Sequence, residues 1–390
     1  MVFGLVFTVC AGWYVRSTCY PSASELRERC RHALASQDLK SAEKLAMQWS
    51  LIAPNSAEPW MQLAETLRRQ RKFGLAMNSL DRVPLASPEA ESALTAQMEL
   101  QFGPLNRPSD GARRCERILS INPKSSIALQ RLIFFLTFTL QRTRLAQRIR
   151  LSLESGNEPP ESFVYLFLID SLLFSNGQEL NGRWLQGEPD SELFEVAQAV
   201  FIAENLDMSA TLDDLAAVQA TRHAADRKNA VMNKLLAKYP HNTELLAYNI
   251  RQQIQIGNVA GVVDLMARAT VESEADHRFW RFKGWVHAQR NQVADAERSY
   301  RRAIELHPLD WTTRHMLAEL LQQQERFEEV KSLRELVTRG NELRRVLQRA
   351  PNARQISPEI LSQLADYAAD CHDMHLSAAL RQHIRQGSGS

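Results

Sequence analysis

Residues 279–311 read FWRFKGWVHAQRNQVADAERSYRRAIELHPLDW, and this stretch decides the fold. Trp280 is followed by Gly284 after four residues, Ala296 stands twelve residues later, and Pro308 twelve beyond that. Small side chains at Gly284 and Ala296 let two helix backbones approach, where a larger side chain would hold them apart. Pro308 lacks a backbone N–H and biases the preceding residue away from the helical region. The stretch therefore predicts two closely packed helices followed by a boundary.

The same intervals recur along the chain. In residues 57–90, Trp60, Ala64 and Ala76 keep the spacing seen above, and Ala42 lies 34 residues before Ala76. A fixed period of this length is typical of stacked helical repeats. Val262, Ala296 and Val330 also follow one another at 34-residue steps. Prolines mark the ends of units at Pro54, Pro88, Pro123, Pro240 and Pro308.

This pattern resembles the tetratricopeptide repeat, a pair of antiparallel helices. The resemblance implies an all-α fold, a right-handed superhelical solenoid of helical hairpins whose first helices line a concave surface that binds peptides or helices. The match is clearest at 277–310, with Trp280, Gly284, Ala296 and Tyr300 at the packing positions. Other units are expected at 23–56, 57–90, 92–124, 209–242, 243–276 and 311–340, with a capping pair at 358–386.

The period fails in the middle of the chain. Two apolar stretches, 132–140 and 163–174, are too short to cross a bilayer and predict buried helices, followed by a longer connection at 175–190. A second slip is expected at 341–357. The predicted organisation is an apolar N-terminal segment 1–20, an N-terminal repeat block 21–125, irregular helical hairpins 126–205, a C-terminal repeat block 206–340, an insertion and capping pair 341–386, and a linker-like GSGS at 387–390.

The first fifteen residues carry no charge until Arg16. We expect residues 1–15 to be a single-pass membrane anchor, although a spanning helix usually needs about 20 apolar residues. A cleaved signal and a segment folded into the array are the alternatives; a signal lacks its basic start here. Arginines after the anchor, with Arg16 and Arg27 among them, favour a cytoplasmic body by the positive-inside rule.

Charge and motifs limit the chemistry. With 47 basic and 45 acidic residues, the net charge of +2 gives no electrostatic case for nucleic acid. The sequence shows no phosphate-binding loop or hydrolase motif, so we expect a non-enzymatic protein without cofactor. Cys371 and His375 are four residues apart, as zinc ligands on one helix face are, but two ligands do not make a structural site. We interpret their stretch, DCHDMH, as the turn of the last hairpin and predict no metal.

The resemblance also places candidate partner-binding residues on solvent-facing positions of the first helices. An exposed aromatic beside an arginine is typical of binding hot spots, so Trp285 with Arg281 is the favoured pair. The alternative is that all these residues are ordinary solvated helix positions. The candidates are Arg27, Arg31, Glu65, Arg68, Arg278, Arg281, Trp285, Gln289, His315 and Glu319.

These observations favour a scaffold or adaptor that binds protein partners beside a membrane. The alternative from another class is a regulatory or substrate-binding subunit of an enzyme complex, with catalysis on a different chain. A third interpretation is an active site within 126–205, where Asp170, Glu179, Glu188 and Asp190 stand outside any recognisable motif. Repeat surfaces do not reveal their partner by fold alone.

Overall fold

A computed structural model describes residues 21–172, 176–208, 228–350 and 356–387. Within these ranges the chain is helical and contains no β-strand, so the all-α prediction is confirmed. The chain divides into two compact units, Met1–Ala128 and Leu129–Ser390, called here the N-terminal and the C-terminal unit.

The N-terminal unit contains three helical hairpins. In each, a first helix packs against a second, and α3 also contacts α1. The helices are α1 (Ala23–Ala35), α2 (Leu39–Ile52), α3 (Ala57–Arg69), α4 (Phe73–Leu80), α5 (Ala90–Phe102) and α6 (Pro108–Ile121), and the boundary between units falls within α7 (Ser126–Phe138).

The C-terminal unit begins with less regular helices and ends in regular hairpins. Its earlier helices are α8 (Arg142–Ser155), α9 (Glu161–Phe167), a 3₁₀ turn (Ile169–Ser171), α10 (Gly177–Gly187), α11 (Glu192–Met208) and α12 (228–238). Its later helices are α13 (Thr243–Gln255), α14 (Val259–Met266), α15 (His277–Gln289), α16 (Val293–Leu306), α17 (Trp311–Gln322), α18 (Phe327–Arg349), α19 (Pro358–Asp370) and α20 (Met374–Gly387).

The turns inside the hairpins carry the repeat directly. Within the described ranges, eight of these turns hold one residue with positive φ, and in all of them but the turn at Asn106 the following N–H donates to the carbonyl five residues back, as in a helix C-cap of the Schellman type. Such residues recur at 34-residue steps from Gly257 to Asn291 and Glu325. From Leu140 to Gly257 the step is 117 residues, which is not a multiple of 34. The other turn residues are Gln37, Arg71, Asn106 and His372.

The starts of the first helices keep the same register. Asn242, Asp276 and Asp310 lie 34 residues apart, and each side chain accepts a hydrogen bond from a backbone N–H of the turn that follows. These oxygens satisfy donors that a helix leaves unpaired at its N-terminus. Ser22 and Ser357 cap α1 and α19 in the same way.

Packing within the hairpins follows the small-residue prediction. A Cβ added at Gly284 would lie 2.5 Å from the ring of Tyr300, so glycine is required for this approach. Ala296 is fully buried beside them. Trp60 and Trp280 are half-buried, and each indole N–H donates to a backbone carbonyl six residues earlier at 2.9 Å. Two repeats far apart in sequence therefore share the same contact.

The structure differs from the sequence prediction at 175–190. Where we expected a connection, Gly177–Gly187 forms α10. Trp184 is buried and its ring lies 5.8 Å from that of Phe135 on α7 and 5.4 Å from that of Phe194 on α11. Tertiary burial of this aromatic outweighs the weak helix propensity of the surrounding glycines and asparagines.

Two further predictions concern the ends of the chain. The slip expected at 341–357 coincides with a long helix, because α18 continues to Arg349. The predicted anchor at residues 1–15 lies outside the described residues. Within the described part, no helix combines the length and apolar character that crossing a bilayer requires.

Candidate functional site

The four candidates in the N-terminal unit are solvent-accessible and ion-paired. Arg27 Nε lies 2.6 Å from a carboxylate oxygen of Glu58, and Arg31 lies 3.2 Å from Glu28. Glu65 accepts from Arg68 at 2.8 Å. Glu58 of α3 pairs with Arg27 and Arg31 of α1, and we call the side of these helices that carries the four candidates the first-helix face. Exposed pairs contribute little stability, so their side chains are free to exchange partners.

The first-helix face continues onto α5. Burial would raise the pKa of Glu65, but hydrogen bonds from Arg68 and Arg69 hold it below the ordinary value. Glu65 and, less strongly, Glu99 of α5 raise the pKa of Arg68, so α3 and α5 share one charged surface. A cleft of about 360 Å³ on α5 is lined by Pro88, Glu91, Ser92, Thr95, Ala96 and Glu99.

The candidates in the C-terminal unit separate into two groups. Gln289, His315 and Glu319 are exposed, and His315 Nε2 lies 3.3 Å from Glu319 on the same helix. Trp285 is half-buried. The predicted pair of Trp285 and Arg281 therefore does not form an exposed hot spot.

The expectation that Arg278 and Arg281 face solvent is wrong. Their exposed fractions are 6% and 5%. Both belong to the first turns of α15, and their guanidinium groups enter a buried ionic network rather than an open groove. A buried arginine must be paired and hydrogen-bonded, because removing a charge from water without compensation is very costly.

Arg281 bridges two carboxylates. Its Nη1 lies 2.7 Å from Asp170 Oδ2 and 2.8 Å from Asp310 Oδ2. Asp310 is also the N-cap of α17 and accepts from the backbone N–H of Thr313 at 2.8 Å. His277 Nε2 lies 2.8 Å from the other oxygen of Asp170. The 3₁₀ turn, α15 and the start of α17 are therefore joined at one point.

Arg278 extends the network towards α13 and α8. It pairs with Asp276, the N-cap of its own helix, at 2.6 Å, and with Glu244 at the start of α13. Glu244 in turn lies 3.1 Å from Arg142 at the start of α8. Arg142 also donates to the carbonyl of Ile169. The N-terminal ends of α8, α13, α15 and α17 and the 3₁₀ turn thus contribute to one set of alternating charges.

The chain itself covers this part of the C-terminal unit. Phe163 of α9 packs with its ring 5.5 Å from His383, and Phe167 lies 5.6 Å from Tyr367 of α19. Phe163 and Leu166 are almost completely buried. Residues 161–172 therefore pack against α19 and α20, and Asp170 of the same segment reaches Arg281 on α15, one of the positions that the resemblance assigned to a partner. Exposing each of these buried apolar side chains would cost roughly 1.5–3 kcal/mol. The contact therefore belongs to the stable fold and is not an open binding surface.

The pKa directions follow from the pairing. Burial alone would raise the pKa of Asp170, but Arg281 and His277 hold it well below its usual range. Burial acts likewise on Asp310, and Arg281 again lowers its pKa. Burial and the nearby ring of His277 lower the pKa of His307 to about 3, so His307 is neutral in the folded protein near neutral pH.

The same cluster has one feature of a metal site. The ligand atoms of Asp170, His277 and Asp310 lie within 4.8 Å of one another. However, the guanidinium of Arg281 contacts both carboxylates and neutralises them. The two carboxylates are therefore arranged around the arginine side chain, which takes the place that a metal ion would need. At the last turn, Cys371 is buried while His375 is exposed, so these two do not form a shared ligand pair.

A cleft of about 460 Å³ opens beside the network. It reaches Arg142, Glu244 and Asp276, whose charges are already paired with one another or with Arg278. The cleft is therefore lined by charged side chains on this side, and because Arg142, Glu244 and Asp276 are all ion-paired, none of these three is available as a nucleophile or base. Its remaining lining residues are Thr139, Leu140, Gln141, Thr143, Arg144, Gln147, Leu193, Val196, Asn242, Thr243, Glu272 and Ala275.

Sequence reasoning missed most of this network. In the sequence, Asp170 stands in the irregular middle, outside any motif. The available signal was the 34-residue step that places Asn242, Asp276 and Asp310 at successive helix starts. Nothing in the sequence indicated that Asp170, more than a hundred residues away, would meet Arg281.

Comparison with known proteins gives matches at the level of structure. No family model and no curated protein matches the sequence. A tetratricopeptide repeat protein from Parabacteroides merdae is 14% identical, covering 77% of this chain and 98% of its own, with a TM-score of 0.27. The human IFIT1 dimer with PPP-AAAA is 11% identical, with 95% and 92% covered and a TM-score of 0.34. The APC/C hetero-tetramer Cut9–Hcn1 is 13% identical, with 95% and 80% covered and a TM-score of 0.33.

Similarities this distant carry no argument about function. The assignment of a tetratricopeptide-like array of helical hairpins follows from the 34-residue spacing of the turns and from the helix pairs themselves. The expectation that this chain binds no nucleic acid stays a prediction.

Proposed function

We propose that this chain is a non-enzymatic repeat scaffold that binds a protein partner on the first-helix face of the N-terminal unit. One observation carries the proposal. The candidates Arg27, Arg31, Glu65 and Arg68 remain accessible on this face, whereas Arg278 and Arg281 are buried under the chain's own residues. We therefore place partner binding on α1, α3 and α5, because all four candidates there are accessible. In the C-terminal unit the exposed candidates are Gln289, His315 and Glu319, and they have no accessible arginine candidate beside them. The exposed ion pairs there supply specificity by charge, because mismatched charges across an interface are strongly disfavoured.

The test is proximity labelling with the full-length chain in its native membrane. The variant Arg31→Glu with Arg68→Glu reverses two charges that are about half exposed. The matched control, Arg298→Glu with Arg302→Glu, reverses two exposed arginines on α16 that also pair within their own helix. We expect a partner recovered by the parent and the control to fall at least about tenfold in the face variant. Equal recovery from all three chains would refute the face assignment.

We further propose that residues 1–15 anchor the scaffold to a membrane with its body in the cytoplasm. The support is the uncharged run to Arg16 and the arginines that follow it. Carbonate extraction of the full chain, compared with a chain starting at Arg16, tests the anchor. The full chain is expected in the membrane pellet and the shortened chain in the supernatant. Protease protection of sealed vesicles tests the side, and a protected body on cytoplasm-facing-out vesicles would reverse the orientation.

A further inference from the structure

Stacking is shifted at one junction of the C-terminal unit. The positive-φ turn residues Asn291 and Glu325 are 34 residues apart, but the next one, His372, follows after 47. The additional residues lengthen α18, which is 23 residues long, whereas α16 has 14. The last hairpin is therefore displaced along α18.

Contacts show how far the displacement goes. Arg339 Nη1 lies 2.5 Å from Asp370, the last residue of α19, and a Cβ at Gly340 would meet the hydroxyl of Tyr367. Beyond this point Leu343 and Leu347 are buried. The antiparallel α19 thus ends beside the middle of α18. Among the described residues, the first half of α18 has no counterpart of the first helix that packs there at a regular junction, as α17 packs on α16.

The exposed fraction of one side chain shows that the first half of α18 is not covered in the described part of the chain. The residue that begins each second helix is half-buried or buried wherever a regular hairpin follows, as for Phe73, Val293 and Pro108. The equivalent Phe327 is 57% exposed. Met374, which begins the second helix of the last described hairpin, is 60% exposed. Phe327 therefore has the environment of an array end, although α19 and α20 follow it.

The first half of α18 lines a cleft of about 680 Å³, and three of its lining residues, Lys331, Arg334 and Arg339, are basic. Among the described residues, no carboxylate pairs with Lys331 or Arg334, and the only acidic side chain of the lining is Glu335. Val330 forms an apolar floor next to Phe327. The full lining is Gln322, Phe327, Val330, Lys331, Arg334, Glu335, Thr338 and Arg339.

We propose that this cleft docks an amphipathic helix of about three turns from a partner protein, with acidic residues flanking its apolar face. The length follows from the helix that fills the equivalent place at regular junctions, which has 13 residues in α3 and 12 in α17. The acidic character follows from Lys331 and Arg334. An apolar helix face laid into a groove is a common recognition mode. This docking site is independent of the first-helix face.

Polar side chains of α18 stand where α16 has apolar ones, and they keep the protein soluble when nothing is bound in the cleft. Arg334 and Thr338 stand where α16 has Tyr300 and Ile304, one repeat earlier. If this face only contacted solvent, we would expect a polar residue in place of Phe327 as well. Phe327 stands beside Lys331 and Arg334, which have no carboxylate partner among the described residues; this is the composition of a binding surface, where aromatic and arginine side chains dominate the energetics.

The experiment uses the full chain and a synthetic probe. The probe is a fluorescein-labelled, stapled 13-residue helix with leucines at positions i, i+3, i+4 and i+7 and glutamates on both flanks. A second peptide carries lysine in place of each glutamate. Fluorescence anisotropy is expected to show that the glutamate peptide binds at least about tenfold more tightly than the lysine peptide. The variant Lys331→Glu with Arg334→Glu should invert that order.

Variants of exposed apolar residues separate the cleft from general stickiness. Phe327→Asp should weaken binding of the glutamate peptide at least about tenfold. The matched control Met374→Asp, at the equivalent register of α20, should leave binding unchanged. Far-UV circular dichroism checks that both variants remain folded.

Four results would overturn the proposal. These are equal binding of the two peptides, absence of binding, binding that Phe327→Asp does not weaken, and equal loss in both aspartate variants. Two others assign the cleft to a different occupant and also overturn it. A parent that sediments as a dimer while Phe327→Asp sediments as a monomer indicates a second copy, and tighter peptide binding by a chain lacking residues 1–20 indicates the chain's own N-terminal segment.

Discussion

The two units use one hairpin template but place the candidate arginines of their first helices in opposite environments. In the N-terminal unit, Arg31 and Arg68 form exposed pairs with carboxylates of their own or a neighbouring helix. In the C-terminal unit, Arg278 and Arg281 are buried between carboxylates from several elements. The difference arises because residues 161–172 pack onto the C-terminal helices. A charged position on a repeat is thus a binding surface or a structural tie, depending on what covers it.

Energetics sharpen this comparison. An exposed pair contributes about 0–1 kcal/mol, because water competes for both charges. A buried pair gains little over apolar packing, yet removal of one partner leaves the other charge uncompensated. Mutations at equivalent faces of the two units should therefore differ strongly in stability.

The largest effect is expected for Arg281→Met. Loss of the guanidinium leaves Asp170 and Asp310 close together without their cation, at a cost of about 3–5 kcal/mol. Hydrogen exchange of the full chain measures it, because exchange reports each unit separately. We expect faster exchange in α15 and α17 and unchanged exchange in α3. The control Arg31→Met should change stability by less than about 1 kcal/mol, and similar losses for both would contradict the comparison.

Acidification should destabilise the C-terminal unit next. An unfolded histidine titrates near 6.5, whereas the pKa of His307 is about 3 in the folded protein. Between these values the unfolded chain binds a proton that the folded chain does not, so stability falls as pH decreases. The loss is about 2 kcal/mol at pH 5. Below about pH 4 the lowered pKa values of Asp170 and Asp310 add loss in the same direction.

Hydrogen exchange at pH 7 and pH 5, corrected for intrinsic rates, tests this dependence. Protection of α16 and α17 should decrease more than that of α3 and α4. His307→Asn removes the titrating group and should flatten the dependence. An unchanged slope in that variant would exclude His307 as its source.

A smaller effect is expected from Gly284→Ala. The new Cβ would lie 2.5 Å from the Tyr300 ring, which is itself buried, so α15 and α16 must separate at a cost of about 1–3 kcal/mol. Exchange protection of α15 should decrease. Ala296→Leu acts on the same contact and should give a similar loss. Parent-like protection in both variants would refute the close-packing role.

The smallest effect has the opposite sign. Gly74 lies in α4 with nothing within 4 Å of an added Cβ. Alanine is the better helix former, so Gly74→Ala should stabilise the N-terminal unit by about 0.5–1 kcal/mol. Slower exchange in α4 would show this gain. Together with Gly284→Ala it separates a glycine needed for packing from one that is not.

The sequence by itself determined the helical class and the hairpin pattern, because both depend on local spacing. Gly284 and Ala296 mark a close approach, Pro308 marks a boundary, and DCHDMH marks the turn at His372. It also indicated irregularity in the middle of the chain, where the structure places 117 residues between the turns at Leu140 and Gly257. Such features are visible because they concern residues within one repeat or its neighbour.

Only the tertiary structure decided which charged faces remain open. Arg281 reads as a solvated helix position until Asp170, from a segment 111 residues earlier, packs against it. The helix at Gly177–Gly187 exists because Trp184 is buried against Phe135 and Phe194. These outcomes depend on contacts between distant segments, whose pairing no local period encodes. Burial of a charge is a property of the whole fold, and the function of each face follows from it.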